Sequence, residues 1–276
     1  MYINIFKKFI IFITAIAISV FSYGCSKERG SRIVIKGSTT VLPITQKSAE
    51  EYRKIHKVVI SIEGSGSGNG IKAIIDGSCD IANSSREMKD KELKKAKEKK
   101  INIREIAVAF DMIVPVVHPT NPVKNISLNQ LKAIYSGSIT NWKELGGKNE
   151  KIVVISRDTS SGTYEVWHEK VMEKMDVGKA ALLQASNGAI LSAVAVNPKA
   201  IGYVGYGYLN NSVKTLTINN IKGTIENGKS GEYPITRKLY MYVNNDKLSK
   251  EAEAYINFIL SRQGQDIVKR TGFIPL

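Results

Sequence analysis

The sequence is poor in the residues that many functions require. It has two cysteines, Cys25 and Cys79, and three histidines, His56, His118 and His168, in 276 residues. Two cysteines cannot build a disulfide-stapled scaffold, and the histidines lie in unrelated contexts. His168-Glu169 is followed by Met172 where a zinc-protease helix would need its second histidine. The apolar run from Phe9 to Phe21 has thirteen residues, short of the roughly 20 that span a bilayer. Low-complexity tracts and repeat arrays are also missing, which excludes an array of repeats.

Nucleotide-binding and hydrolase signatures fail as well. The stretch GSGSGNG, Gly64 to Gly70, lacks the lysine of a P-loop, and its every-second-residue spacing does not meet G-x-G-x-x-G. Neither Ser65 nor Ser67 satisfies G-x-S-x-G, because Glu63 and Ser65 stand where the first glycine belongs. No catalytic constellation remains, so no enzymatic activity, metal or cofactor is expected.

Acidic residues are outnumbered by basic ones, 25 to 40, for a formal net charge of +15. The lysines are nevertheless spread along the chain. Their densest run, Lys89 to Lys100, alternates with glutamates and contains no aromatic residue, which is the pattern of a solvated helix face. Nucleic acid is therefore not an expected partner. The basic balance suits attraction of small anions, or seating against an anionic membrane.

Lys7 and Lys8 precede the short apolar run, which suits the central region of a secretory signal over residues 1–24. The run closes in Ser22-Tyr23-Gly24-Cys25, which resembles a bacterial lipoprotein box. On that reading the chain is cleaved before Cys25, lipidated on its sulfur and tethered to the membrane through residues 25–31. The alternative is a plain secretory signal with an incidental cysteine. With Cys25 lipidated, Cys79 has no partner and reads as a buried, inert thiol beside a strand.

Beyond the tether, β-branched runs alternate with small-residue loops and helix-period patterns. Ile33-Val34-Ile35 leads into Gly37-Ser38-Thr39-Thr40, and Pro43 opens a helix with an apolar face through Ala49, Tyr52 and Ile55. Val58 to Ile62 leads into GSGSGNG, followed by a short helix through Ile71, Ile74 and Ile75 that stops at Asp76-Gly77. Ile152 to Ile155 leads into Ser156-Arg157-Asp158-Thr159-Ser160-Ser161-Gly162-Thr163, and Val166, Trp167, Lys170 and Val171 follow at helical spacing. Three strand-loop-helix units imply an α/β protein. Two extended apolar stretches, Ile106 to Val117 and Leu239 to Val243, flank a middle segment and suit a crossing to a second lobe and back. The helix over Glu251 to Leu260 then returns to the first lobe.

The three loops share one chemistry. A helix start presents unpaired N–H groups and partial positive charge, glycine permits close approach, and Ser or Thr adds a hydroxyl. Arg157 adds a planar two-pronged donor suited to phosphate. Any one loop alone reads more readily as a helix cap than as a site. Together they point to an oxyanion.

The segments GSTTVLP, GSGSGNGIKAI, DIANSSRE, IYSGSITNWKELGG, SRDTSSGTYE and YPITRKLYMYV, in this order, resemble the phosphate-binding lipoproteins of bacterial phosphate-specific ABC transporters. The resemblance implies the two-lobed periplasmic-binding-protein type II fold with two hinge crossovers. Lobe 1 is expected over 32–114 with 238–276, and lobe 2 over 115–237. It implies a monomeric, exported, lipid-anchored receptor that passes inorganic phosphate to a permease driven by a separate ATPase. Carried over by position, the phosphate ligands are Thr39, Thr40, Ser67, Ser85, Arg157, Ser161, Gly162 and Thr163, with Ser38 and Gly66 as neighbours. The alternatives are a receptor for sulfate or molybdate, or a surface adhesin on the same fold.

Two positions depart from the pattern. Ser85 stands where known members carry an aspartate that accepts a hydrogen bond from protonated phosphate and repels sulfate. Asp111, on the first crossover, is the candidate replacement acceptor; the alternative is a carboxylate bonded to hinge backbone. Met112 follows it where many relatives have glycine.

Overall fold

The β-branched runs become strands because such residues pack well on a pleated surface, and the small-residue loops after them start helices. In the computed structural model, which describes residues 32–276, the first units are β1 (Arg32–Gly37), α1 (Leu42–Arg53), β2 (Val59–Gly64), α2 (Ser67–Ile75), β3 (Ile81–Ser84) and α3 (Asp90–Glu98). The leader and Cys25 lie outside the described residues. The long strand β4 (Ile103–Val117) follows, then β5 (Asn125–Ile126), α4 (Leu128–Ser136), β6 (Val153–Arg157) and α5 (Gly162–Lys170). The chain continues through β7 (Leu182–Gln184), α6 (Asn187–Ala195), β8 (Ala200–Gly205), β9 (Lys214–Thr215), β10 (Thr217–Ile218) and α7 (Ile225–Ser230). It closes with β11 (Thr236–Asn244), α8 (Lys250–Leu260) and α9 (Arg262–Arg270). Among the described residues no helix is long and apolar enough to cross a membrane.

The main sheet runs β2-β1-β3-β11-β4-β8-β6-β7, with β9 beside β4. Strands β1, β2 and β3 are mutually parallel, as are β6, β7 and β8. Between these groups lie β4 and β11, paired antiparallel. The first part of β4, Ile103 to Met112, pairs with β11, and the rest, Ile113 to Val117, pairs with β8. The two apolar stretches expected as crossovers are thus the strands that join the two parallel groups. This is a two-lobed α/β architecture in which one curled sheet passes through the hinge.

Separate hydrophobic groups fill the two sides. Ile33, Ile35, Ala49, Tyr52, Leu239 and Tyr255 belong to one; there the Tyr52 ring meets Tyr255 edge-on, centroids 5.3 Å apart. Trp142, Trp167, Tyr135, Tyr203 and Tyr233 belong to another, with Trp167 stacked on Tyr203 at 4.1 Å. Burial of the Tyr203 hydroxyl pushes it up to about 12. Met112 packs in the second group together with Ile274, which bridges back to Phe110 on β4.

Most local expectations meet the structure, with one exception. Helix α1 ends at Arg53 with Lys54 as its cap, so the expected apolar face stops at Tyr52 and Ile55 is 63% exposed. In α3 only Ala96 is buried and the lysines face water, while Glu92 turns back to accept both Nη groups of Arg86 at 2.7 and 2.8 Å. Cys79 is a buried free thiol that burial pushes up to about 12, leaving little reactive thiolate at neutral pH.

Candidate functional site

Four helix starts converge. Before α1, Ser38 Oγ accepts the N–H groups of Thr40 at 3.1 Å and Val41 at 3.4 Å, so Ser38 works as a turn-former. Before α2, Gly66 takes a φ of +102°, a conformation that glycine reaches without steric cost, and Ser67 becomes the first helical residue. Before α5, Ser161 caps the helix through Thr163 N at 3.1 Å and Tyr164 N at 3.2 Å. Before α6, Ser186 caps Ala189 N at 3.1 Å, and Asn187 follows.

The hydroxyls behind these caps meet one another. Thr40 Oγ1 and Thr163 Oγ1 are 3.0 Å apart. Ser67 Oγ accepts Ser85 N–H at 3.0 Å and lies 3.3 Å from Ser85 Oγ. Asn187 Nδ2 donates to Thr40 Oγ1 at 3.0 Å and to Thr39 Oγ1 at 3.3 Å, while its Oδ1 accepts Gly205 N–H at 3.1 Å. None of Thr39, Thr40, Ser67, Ser85, Ser161 or Thr163 is more than 4% exposed. Gly162 joins the sets: a Cβ built on it would lie 2.4 Å from Ser67 Oγ and 2.7 Å from Ser85 Oγ. Glycine is thus what lets the α5 start touch the α2 start. Beside it, Gly68 N–H donates to Ser160 O at 2.9 Å, and Tyr208 Oη donates to Thr39 O at 2.5 Å.

Arg157 ends β6, four residues before the Ser161 cap, and is 1% exposed. Its Nε and Nη2 donate to the carbonyls of Gln184 at 3.0 Å and Ala185 at 2.8 Å, which fix the plane of the guanidinium. Its nearest carboxylate, on Asp158, is 4.0 Å from Nη2, and Nη1 is buried without a partner. Burial draws Arg157 below its ordinary value, yet a guanidinium stays protonated at neutral pH. A buried permanent cation with a free donor calls for an anion.

Among the described residues Asp111 makes no hydrogen bond to these hydroxyls; its partners are Arg237 and Tyr206. Its Oδ2 accepts Arg237 Nη2 at 2.7 Å and Nε at 3.0 Å, and its Oδ1 accepts Tyr206 N–H at 2.9 Å. Burial raises its carboxyl above the usual range even with Arg237 against it. Both oxygens are therefore engaged by groups around the hinge. Two residues escaped the reading of the sequence. Asn187 has a local signal, since Ser186-Asn187-Gly188 follows a strand and opens a helix as the other loops do. Arg237 has a weaker one: with Lys238 it opens the strand of the second apolar crossover, while Asp111 lies within the first.

Fold and site together define a solute-binding protein of the periplasmic-binding class, with converging polar helix starts and a buried arginine at the head of one of them. The PBP superfamily domain matches residues 25–263. The phosphate-binding protein PstS of Borreliella burgdorferi is 32% identical over 98% of this chain and 99% of its own length. PstS of Staphylococcus epidermidis is 35% identical over 83% of this chain and 74% of its own. A Clostridium perfringens protein solved with bound phosphate has a TM-score of 0.84 at 35% identity, covering 89% of this chain and all 100% of that one. An ABC-type phosphate transport receptor from Vibrio cholerae has a TM-score of 0.74 at 31% identity, over 88% of this chain and 100% of its own. The chain belongs to the PstS phosphate-binding proteins of the PBP superfamily.

Proposed function

We propose that this chain is the extracytoplasmic receptor of a phosphate ABC transporter, closing two lobes on inorganic phosphate and delivering it to a permease driven by a separate ATPase. It is a binding protein and not an enzyme. On this reading lobe 1 comprises 32–114 with 238–276 and lobe 2 comprises 115–237, and the protein acts as a monomer held to the membrane by lipid on Cys25. Thr39, Thr40, Ser67 and Ser85 contribute donors from the first lobe. Arg157, Ser161, Gly162 and Thr163 contribute them from the second.

The observation that carries the reading is the buried Arg157, with its partnerless Nη1, on the strand end that leads into the Ser161–Thr163 helix start. Hydrogen bonds to charged groups contribute about 1.5 to 3 kcal/mol each, and micromolar affinity needs only about 8 kcal/mol, so a handful is enough. The test is a calorimetric titration with phosphate, repeated with sulfate and molybdate as competitors. Saturable phosphate binding is expected, and sulfate is expected to compete measurably because the Ser85 hydroxyl cannot repel it by charge. An absence of phosphate binding would overturn the reading.

One ion pair joins the lobes at the protein's surface: Lys89 Nζ lies 2.6 Å from Glu165 Oε2, between the residue that caps α3 and the first turns of α5. Both side chains are partly exposed, so the pair is worth about 0.2 to 1 kcal/mol. Lys89→Ala should therefore weaken phosphate binding by only about two- to five-fold. The loss should appear as faster release in stopped-flow measurements and shrink as salt is raised.

A further inference from the structure

The second crossover brings another arginine to the same place. Arg237 is 9% exposed and stands opposite Asp111 in the antiparallel register of β4 and β11. One edge of its guanidinium, Nε and Nη2, is given to Asp111. Nη2 carries a second N–H on the edge it shares with Nη1, and this atom lies 3.5 Å from Thr40 Oγ1. Thr40 Oγ1 is the hydroxyl that also meets Thr163 and Asn187. Nη1 itself is buried and has no partner, the same condition as Nη1 of Arg157. The charge of Arg237 is also among the influences that lower Arg157, after burial, so the two guanidiniums are close enough to sense each other.

We propose that Arg237 is a second anion-binding arginine of this site, with its Nη1–Nη2 edge turned to the bound phosphate and Asp111 acting as the positioning residue that holds that edge in place. The proposal rests on the phosphate reading of the site. It gives the Asp111 carboxylate a role other than acceptor for the ligand's proton. It also accounts for the buried charge: Asp111 is buried against Arg237, Asp158 approaches Arg157 only to 4.0 Å and is partly exposed, and Ser85 supplies no counter-charge. A planar fork suits this task better than a lysine, since it can serve a carboxylate and an oxyanion at once on adjacent edges.

Removing Arg237 alone would strand the Asp111 carboxylate, so the test uses a background in which that charge is gone. Neutralising both members of a buried pair is often tolerated by the fold. Phosphate affinity is measured by calorimetry for the parent, for Asp111→Asn, and for Asp111→Asn with Arg237→Met. The double variant is expected to bind about tenfold or more weakly than Asp111→Asn, the worth of one charge-assisted hydrogen bond. Equal affinity in those two proteins would mean that Arg237 only neutralises Asp111, and the proposal would fall. Arg237→Lys in the otherwise unchanged chain is an independent arm that keeps Asp111 paired. Several-fold weaker binding is expected, because a point charge cannot serve both partners, and parent-like affinity would equally overturn the assignment. A parent that does not bind phosphate would instead defeat the reading of the site as a whole.

Discussion

Replacing Arg157 by alanine lowers phosphate affinity by about a hundredfold or more in a calorimetric titration, the largest loss expected from any single side chain of the site. The magnitude follows from what the residue supplies. A guanidinium edge can give two charge-assisted hydrogen bonds, each worth about 1.5 to 3 kcal/mol, and about 1.4 kcal/mol is a factor of ten. Unlike Arg237, this guanidinium meets no carboxylate nearer than 4.0 Å, and the Gln184 and Ala185 carbonyls fix it before any ligand arrives. Preorganisation of that kind spares the ordering cost that a free side chain incurs on binding. The truncation also removes the Arg157 donors from the Gln184 and Ala185 carbonyls, so a lower melting temperature accompanies the lost affinity. Arg157→Lys separates the two effects: it retains charge but not the fork, and intermediate affinity is expected. An Arg157→Ala protein that binds as tightly as the parent would remove the basis for placing phosphate here.

Gly162→Ala is expected to weaken phosphate binding by at least about tenfold while leaving the melting temperature unchanged or slightly higher. The two readouts divide because the residue does two jobs. As the first residue of α5 it does not adopt a left-handed backbone, and alanine is the better helix former. As a point of contact between lobes it has no room to spare, with the new Cβ 2.4 Å from Ser67 Oγ and 2.7 Å from Ser85 Oγ. Real Cβ contacts do not reach such distances, so the α5 start must withdraw from the α2 start. On the proposed opening of the lobes the α5 start moves away from the α2 start, and the added Cβ meets no such clash. Small-angle scattering should therefore show the parent becoming more compact when phosphate is added, and the Gly162→Ala protein changing little. Unimpaired binding by this variant would mean that the lobes do not need to meet at Gly162.

Much of the site is legible in one dimension because helix starts are local events. A strand's end, a glycine or serine, and the hydroxyl at the first helical turn lie within a few residues. Thr39, Thr40, Ser67, Ser161, Gly162 and Thr163 can thus be picked out from short segments. So can Arg157, one residue type with one plausible chemistry in a loop of hydroxyls. Alternation of β-branched runs with helix-period segments likewise determines the α/β class, and the two long apolar stretches mark the crossovers. What no segment contains is the pairing between distant parts. Asp111 and Arg237 are separated by 126 positions, and nothing in either strand's own sequence points to the other. They meet because β11 lies antiparallel to β4 in a register that shifts between Leu239 and Tyr240, and a slip of one residue would turn Arg237 to the other face of the sheet. Asn187 reaches Thr39 and Thr40 from a helix almost 150 residues further along the chain, at separations of 148 and 147. Local chemistry therefore determines which groups are offered to an anion; only the closure of the two lobes decides which of them share it, because hydrogen bonds act over about 3 Å and only folding brings residues so far apart in sequence within that reach.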